Sequence, residues 1–497
     1  MPSATNPYKK VINHSVIYSA ANILRKIVGF LMLPLYTHYL TPADYGAVEL
    51  LMAAITIVEV FLAMRMGQAI FRYYYLAKDP DEKKAVMSTA FLMTLCTGII
   101  ASIFLAMNSG TATLIILGDT HYADLLSIFA IVLLTQALEE YGLIYVRVHQ
   151  RALLFLALSV SKLIISLSLN IYFIVFMKLS VAGIVYSSCI STGLMAIFAT
   201  IYTFYYSGIT FSKSLLKSLV IFSYPLWIGA FAAFYSGASA KYFLRIFSGL
   251  GDVGLYALAG KFASLIFVFV WNPFSTTWAS LRYEIYEMQE PNLVFKNIFI
   301  ILTLILSFAG LGISLFSDTV IHLMADKAFW LAGGIVPILA MATIVQSLAR
   351  FNNFGILLKG KTGILAVGTY LNAFMISIGF VILIPLVGLY GAAAATLLGG
   401  IFELSWIEWK SKKLYNMQLP WLRVAFMNMA WLACYSISLL LPTTLMFSVA
   451  GKILIIILFV YLLFVTPILE QKEKDQILNF AKSSIKKVVS YFNFSRV

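Results

Sequence analysis

Charge is scarce in this 497-residue chain: Asp, Glu, Lys and Arg together make up only 11% of it. Acid is scarcer still, with 21 carboxylates against 35 Lys and Arg. An ordinary soluble domain carries about 25% charged residues, so a chain wetted over its whole surface is excluded. Cysteine is limited to Cys96, Cys189 and Cys434, all inside apolar runs, which excludes a disulfide framework and a zinc site. The five histidines, His14, His38, His121, His149 and His322, are scattered and mostly sit at the ends of apolar runs. HExxH, a nucleotide-binding loop and a paired-carboxylate motif are all missing, so no catalytic constellation, metal or cofactor is expected. A cleavable signal peptide is also missing: Ser19-Ala20-Ala21 lies within the first apolar stretch and is followed by Arg25-Lys26.

Apolar residues are abundant. They make 61% of the chain and the mean hydropathy is +0.91, with long runs recurring from end to end. This pattern predicts an all-α polytopic membrane protein, since about 20 apolar residues cross the ~30 Å hydrocarbon layer as a helix. Fourteen transmembrane helices are expected, over approximately 13–39, 45–72, 87–107, 122–146, 152–177, 183–206, 218–244, 253–280, 296–317, 329–356, 363–385, 388–409, 423–441 and 448–468. Placing both termini in the cytoplasm puts 24 of the 35 Lys and Arg in inner segments, three in outer loops (Lys178, Arg245, Lys327) and eight inside spans. The net charge of +14 therefore records topology, with anionic membrane lipid rather than nucleic acid as its partner. After Glu470, an amphipathic cytoplasmic tail is expected: Ile477, Ala481, Ile485 and Val488 share one face, opposite Lys474, Lys482 and Lys486.

The first span carries unusual charge. Arg25 and Lys26 sit near the middle of Val11 to Leu40, where a charge costs roughly 2.5–3.5 kcal/mol on insertion scales. At helical spacing Ser15, Ser19, Asn22, Lys26 and Gly29 form one stripe with Arg25 beside it, while Ile17, Leu24, Ile27 and Leu31 lie opposite. The helix thus has a lipid side and a cationic polar side. That polar side meets either substrate or acids on neighbouring helices.

The chain repeats itself at an offset of about 208. Asp44-Tyr45-Gly46-Ala47 matches Asp252-Val253-Gly254-Leu255, and Leu117-Gly118-Asp119 matches Met324-Ala325-Asp326. Gln136 matches Gln346, Gln150-Arg151-Ala152 matches Gly360-Lys361-Thr362, and Val181-Ala182-Gly183-Ile184 matches Leu389-Tyr390-Gly391-Ala392. Spans 1–6 thus repeat as 7–12 with the same orientation, which implies a pseudo-two-fold along the membrane normal and a site between the lobes. The expected organisation is an N-terminal lobe (1–212), a C-terminal lobe (213–415), spans 13 and 14 (416–469) and the tail (470–497). With LMLPLYTHYLTPADYGAVELL at 31–51 and its echo SGLGDVGLYALAGKF at 248–262, the chain resembles the bacterial polysaccharide transporter family. These are O-antigen or repeat-unit flippases of the multidrug/oligosaccharidyl-lipid/polysaccharide exporter superfamily. The resemblance covers essentially the whole chain but rests on diffuse Gly, Pro and Asp marks. It implies two six-helix lobes in a V-shaped parallel repeat plus two extra helices, alternating access, and transfer of an undecaprenyl-diphosphate-linked oligosaccharide across the bacterial inner membrane.

Candidate substrate-binding residues are the polar and basic ones in spans: Arg25, Lys26 and Asn22; Lys162, on a stripe with Ser159, Ser166 and Asn170; Lys241; and Arg350 with Gln346. A guanidinium fork matches a diphosphate bidentately, and Lys adds a point charge. The competing reading is internal pairing, such as Glu139 or Glu140 with Lys162. Glu59, Glu139 and Glu140 are candidates for coupling to H+, since burial raises a carboxylate pKa; Na+ coupling, or none, is equally open. Lys452, Glu49 and Glu408 are expected at the membrane interface. Other polysaccharide assembly proteins are possible partners. Two rivals remain. A multidrug and toxin extrusion antiporter for organic cations needs acids in its spans, where bases predominate here. A membrane-embedded polymerase or ligase needs a larger outer loop than the ~15 residues available.

Overall fold

The computed structural model describes residues 24, 29–62, 67–442, 445–466, 470, 471 and 474. Among them the only regular structure is helical. The helices are α1 (Leu33–Tyr39), α2 (Pro42–Leu62), α3 (Gly67–Leu76), α4 (Pro80–Met107), α5 (Ser109–Leu117), α6 (Ala123–Phe129), α7 (Ile131–Val148), α8 (Ala152–Ile171) and α9 (Ser180–Ser207). There follow α10 (Lys213–Phe247), α11 (Leu250–Ile266), α12 (Asn272–Tyr286), α13 (Pro291–Met324), α14 (Ala332–Asn352), α15 (Phe354–Leu358), α16 (Gly363–Leu414), α17 (Trp421–Ser438) and α18 (Leu445–Val465). Among the described residues, nine helices are long and apolar enough to cross a membrane. Together with the apolar composition, they make this a multi-pass membrane protein.

The two spans expected at 363–385 and 388–409 run on as the single element α16, bent at Val387 (φ −134°) and Gly388 (φ +54°). Pro385 lies just before the bend and lacks the N–H an unbroken helix would use, and Gly388 supplies the left-handed turn. Pro273 acts in a similar place. The turn of wider helix at Phe267–Trp271 precedes it, where the missing N–H would otherwise break the ladder.

The chain divides into two compact units. The first comprises Met1–Lys261, Ile321–Ile335 and Ala366–Gly399; the second Phe262–Val320, Val336–Leu365 and Gly400–Val497. In the first unit, Phe91, Tyr141, Tyr145, Ile144 and Leu219 form an apolar core on α4, α7 and α10. In the second, Trp278 stacks on Phe351 with ring centres 4.3 Å apart, amid Phe295, Phe299 and Phe354. Trp271 and Trp278 are 6% and 2% exposed and serve as packing.

Local geometry repeats as the sequence does. Asp119 accepts from the backbone N–H of His121 (2.9 Å), and Asp326 from that of Ala328 (3.1 Å). Gln150 and Gly360 both turn left-handed, at φ +56° and +65°. After each turn the next N–H returns to a carbonyl five residues back: Arg151 to Val146, and Lys361 to Ile356, both at 3.1 Å. Ser180 (φ +48°) and Gly388 (φ +54°) form another such pair.

Segments assigned to one side of the membrane also meet one another. Within the first unit, the Tyr75 hydroxyl donates to Val148 O (2.9 Å), and the backbone N–H of Thr210 donates to Ser88 Oγ (2.8 Å). Within the second, the Tyr415 hydroxyl donates to Asn292 Oδ1 (2.9 Å).

Candidate functional site: charges within the membrane helices

An isolated charge in an apolar helix must find a partner, face a wet cavity or meet a ligand. The first unit resolves two such cases by pairing. Lys162 on α8 donates to Glu139 on α7 at 2.5 Å. Glu139 is 7% exposed, and the pair borders a small pocket that Ser159, Gly142 and Tyr202 help to line. Glu140, one residue on, is exposed, because consecutive helical residues point about 100° apart.

The second case is a triad. Lys241 on α10 donates to Glu49 at 2.6 Å, and Lys261 on α11 lies 3.2 Å from the other carboxylate oxygen. Lys261 also donates to the hydroxyl of Tyr45, one turn before Glu49 on α2, with its ammonium above that ring. Glu49, expected at the interface, has a side chain that is 15% accessible and carries two ammonium groups. Position near a helix end does not decide burial when other helices pack over that end. The signal was present in the sequence as one lone acid and two lone lysines in three apolar spans. Only packing brings them together. Lys452 is likewise enclosed by protein: it is 7% exposed and donates to Thr319 Oγ1 at 2.6 Å. Glu408 accepts from the amide of Asn352.

In the second unit, Arg350 is exposed on α14, its guanidinium 4.9 Å from the centre of the Phe267 ring. No ion pair forms on it among the described residues. Gln346, one turn earlier, is half-buried. Asn353 accepts from Arg282 at 3.4 Å, so the polar stripe Thr343–Gln346–Arg350–Asn353 extends one step further to a cation. Glu59 is half-buried on α2. Asn22, Arg25 and Lys26 lie outside the described residues, as does most of the amphipathic tail. At the start of that tail, Glu470 accepts from Lys296 (2.8 Å) and from Arg423. Those two hydrogen bonds hold its carboxyl down at about 2 from an ordinary 4.5.

These helices, with basic residues within them, define a multi-pass helical membrane protein. The chain belongs to the family described as "Polysaccharide biosynthesis protein", which matches residues 11–279. No curated protein sequence matches it. Among solved structures, it is similar to the lipid II flippase MurJ in an inward closed conformation: TM-score 0.71, 14% identity, covering 90% of this chain and 99% of that one. It is also similar to a multidrug resistance MATE family transporter of the MOP superfamily. The inward-facing form gives TM-score 0.63 at 15% identity over 79% and 95% of the two chains; the outward-facing form gives 0.56 at 16% over 83% and 97%. At these identities the likeness shows the fold, and it is the fold of that superfamily.

Proposed function

We propose that this protein is a flippase that carries an undecaprenyl-diphosphate-linked oligosaccharide, an O-antigen or similar repeat unit, across the bacterial inner membrane by alternating access. Both termini lie in the cytoplasm in this reading, and no bond of the substrate is made or broken. One observation carries it: in a chain of a polysaccharide biosynthesis family, the spans hold eight bases against six acids, and the structure pairs Glu49 and Glu139 with lysines. The intramembrane charge as a whole is net cationic, which suits a diphosphate and repels an organic cation. The fold shared with MurJ supports a lipid-linked substrate, while the fold shared with MATE transporters keeps the antiporter as the rival.

Arg25, Lys26 and Asn22, with Arg350 and Gln346, are the residues we assign to the diphosphate. Lys162 and Lys241 join them only in a conformation where Glu139 and Glu49 release them. The test is translocation of a fluorescent lipid-diphosphate sugar by the full-length protein in proteoliposomes. Transport of that lipid without efflux of cationic dyes is expected; dye efflux with no lipid transport overturns the reading.

A further inference from the structure

A pocket of about 220 Å³ lies in the first unit, and Arg151 stands beside it against the wall residue Tyr206. The transport reading makes no use of it. Tyr74, Tyr145, Tyr206 and His149 wall it, and Lys83 and Lys84 line it. The imidazole is held at both nitrogens. His149 Nδ1 lies 2.9 Å from the carbonyl oxygen of Tyr145, which can only accept, so Nδ1 carries the proton. Nε2 is hydrogen-bonded to the Tyr74 hydroxyl at 3.2 Å, and the ring stacks on Tyr145 with centres 4.2 Å apart.

The charge comes from side chains around this aromatic wall. Lys83 is half-buried, with its ammonium 5.5 Å from the centre of the Tyr74 ring and no ion pair among the described residues. Lys84 is exposed and pairs loosely with Asp81 at 3.4 Å. Arg151 lies 5.1 Å from the centre of the Tyr206 ring. No carboxylate lines the pocket. Glu82, the nearest in sequence, accepts instead from the backbone N–H of Lys78 at 3.0 Å.

Cations, tyrosine faces and no lining acid make a receptor for a phosphate that carries a hydroxylated group. Its place in the fold decides the source. The same helix ends expose Leu76 (62%), Ile201 (65%) and Tyr205 (82%), an apolar flank suited to acyl chains. The Lys and Arg distribution assigns this end to the cytoplasmic leaflet. We infer that this pocket binds the head group of an anionic glycerophospholipid, with its phosphate on Lys83 and Arg151 and its glycerol against Tyr74 and Tyr206.

The experiment titrates the full-length protein, in a zwitterionic detergent, with phosphatidylglycerol, phosphatidylcholine or glycerol 3-phosphate and reads the shift in Tm. Phosphatidylglycerol should raise Tm saturably, and the other two should not. Lys83→Gln/Arg151→Gln should weaken its apparent affinity about thirty-fold, and the control Lys359→Gln/Lys361→Gln should leave it unchanged. Should the double variant fail to fold, Lys83→Gln alone is read instead, for a loss of about five-fold. Equal loss in the control variant, or full affinity in the pocket variant, overturns the site. Glycerol 3-phosphate acting as well as the lipid overturns the lipid assignment in favour of a soluble phosphate.

Discussion

Gly46 on α2 and Gly254 on α11, 208 residues apart, approach backbone to backbone. A Cβ on Gly46 would sit 3.0 Å from Gly254 N and collide with the carbonyl of Leu250; a Cβ on Gly254 would sit 3.1 Å from Gly46 N and collide with the carbonyl of Pro42. The contact is reciprocal, as a pseudo-two-fold axis requires. A second pair of equivalent residues brackets it. Thr37 donates to Met324 O (3.3 Å), at the end of α13, while Arg245 donates to Leu114 O (3.4 Å), on α5, so each reaches a helix of the other half.

Gly46→Ala and Gly254→Ala should each lower stability by about 1–3 kcal/mol through overpacking. Because both break one contact, the double variant should cost clearly less than the two singles added together. Thermal unfolding of the three variants measures this; strict additivity would mean that the glycines do not share a contact.

Glu49→Gln should leave Lys241 and Lys261 facing each other without their counter-ion. A loss of about 1–3 kcal/mol is expected, less than for a fully buried pair, because both lysines keep some access to solvent. Adding Lys241→Met should recover part of that loss. If Lys241 instead works on substrate, Lys241→Met will stop transport in both backgrounds with Tm unchanged.

Lys162 and Glu139 separate coupling from packing. If Glu139 takes up the coupling proton, Glu139→Gln should transport at a rate indifferent to an imposed proton gradient while the parent protein responds. A parent that shows no such response removes Glu139, Glu59 and Glu140 from that role.

Arg25→Ala should abolish transport in a protein that still inserts and keeps its Tm, while Arg25→Lys should retain part of the rate, since a point charge remains and the fork is lost. The rival packing reading pairs Arg25 with Glu59 or Glu139. An unstable Arg25→Ala protein rescued by Glu59→Gln or by Glu139→Gln would make Arg25 a structural ion-pair partner.

The Lys296–Glu470–Arg423 cluster should respond to acid. A carboxyl depressed from 4.5 to about 2 contributes stability that is fully present above pH 4.5 and lost as pH falls toward 2. A carbon-13 titration of Glu470 should show that low midpoint and Arg423→Gln should raise it; a midpoint near 4.5 in the parent protein would show that the cluster does not form in solution.

The sequence alone determined the class of this protein. Hydropathy is additive along a chain, so the apolar runs announce a helical membrane protein without any knowledge of packing. The repeat was also open to inspection, because turns need particular residues: Gly360, Gly388, Asp119 and Asp326 mark positions whose backbone geometry few other side chains support. Which charge inside a span meets an acid was decided only by tertiary structure. Lys162, Lys241 and Arg350 read alike along the chain, as single cations on polar stripes. In space, Lys162 and Lys241 are neutralised by Glu139 and Glu49, whereas Arg350 lies on an exposed face against Phe267. Glu49 and Lys241 are 192 residues apart, and Coulomb attraction depends on distance through space, which spacing along the chain does not fix.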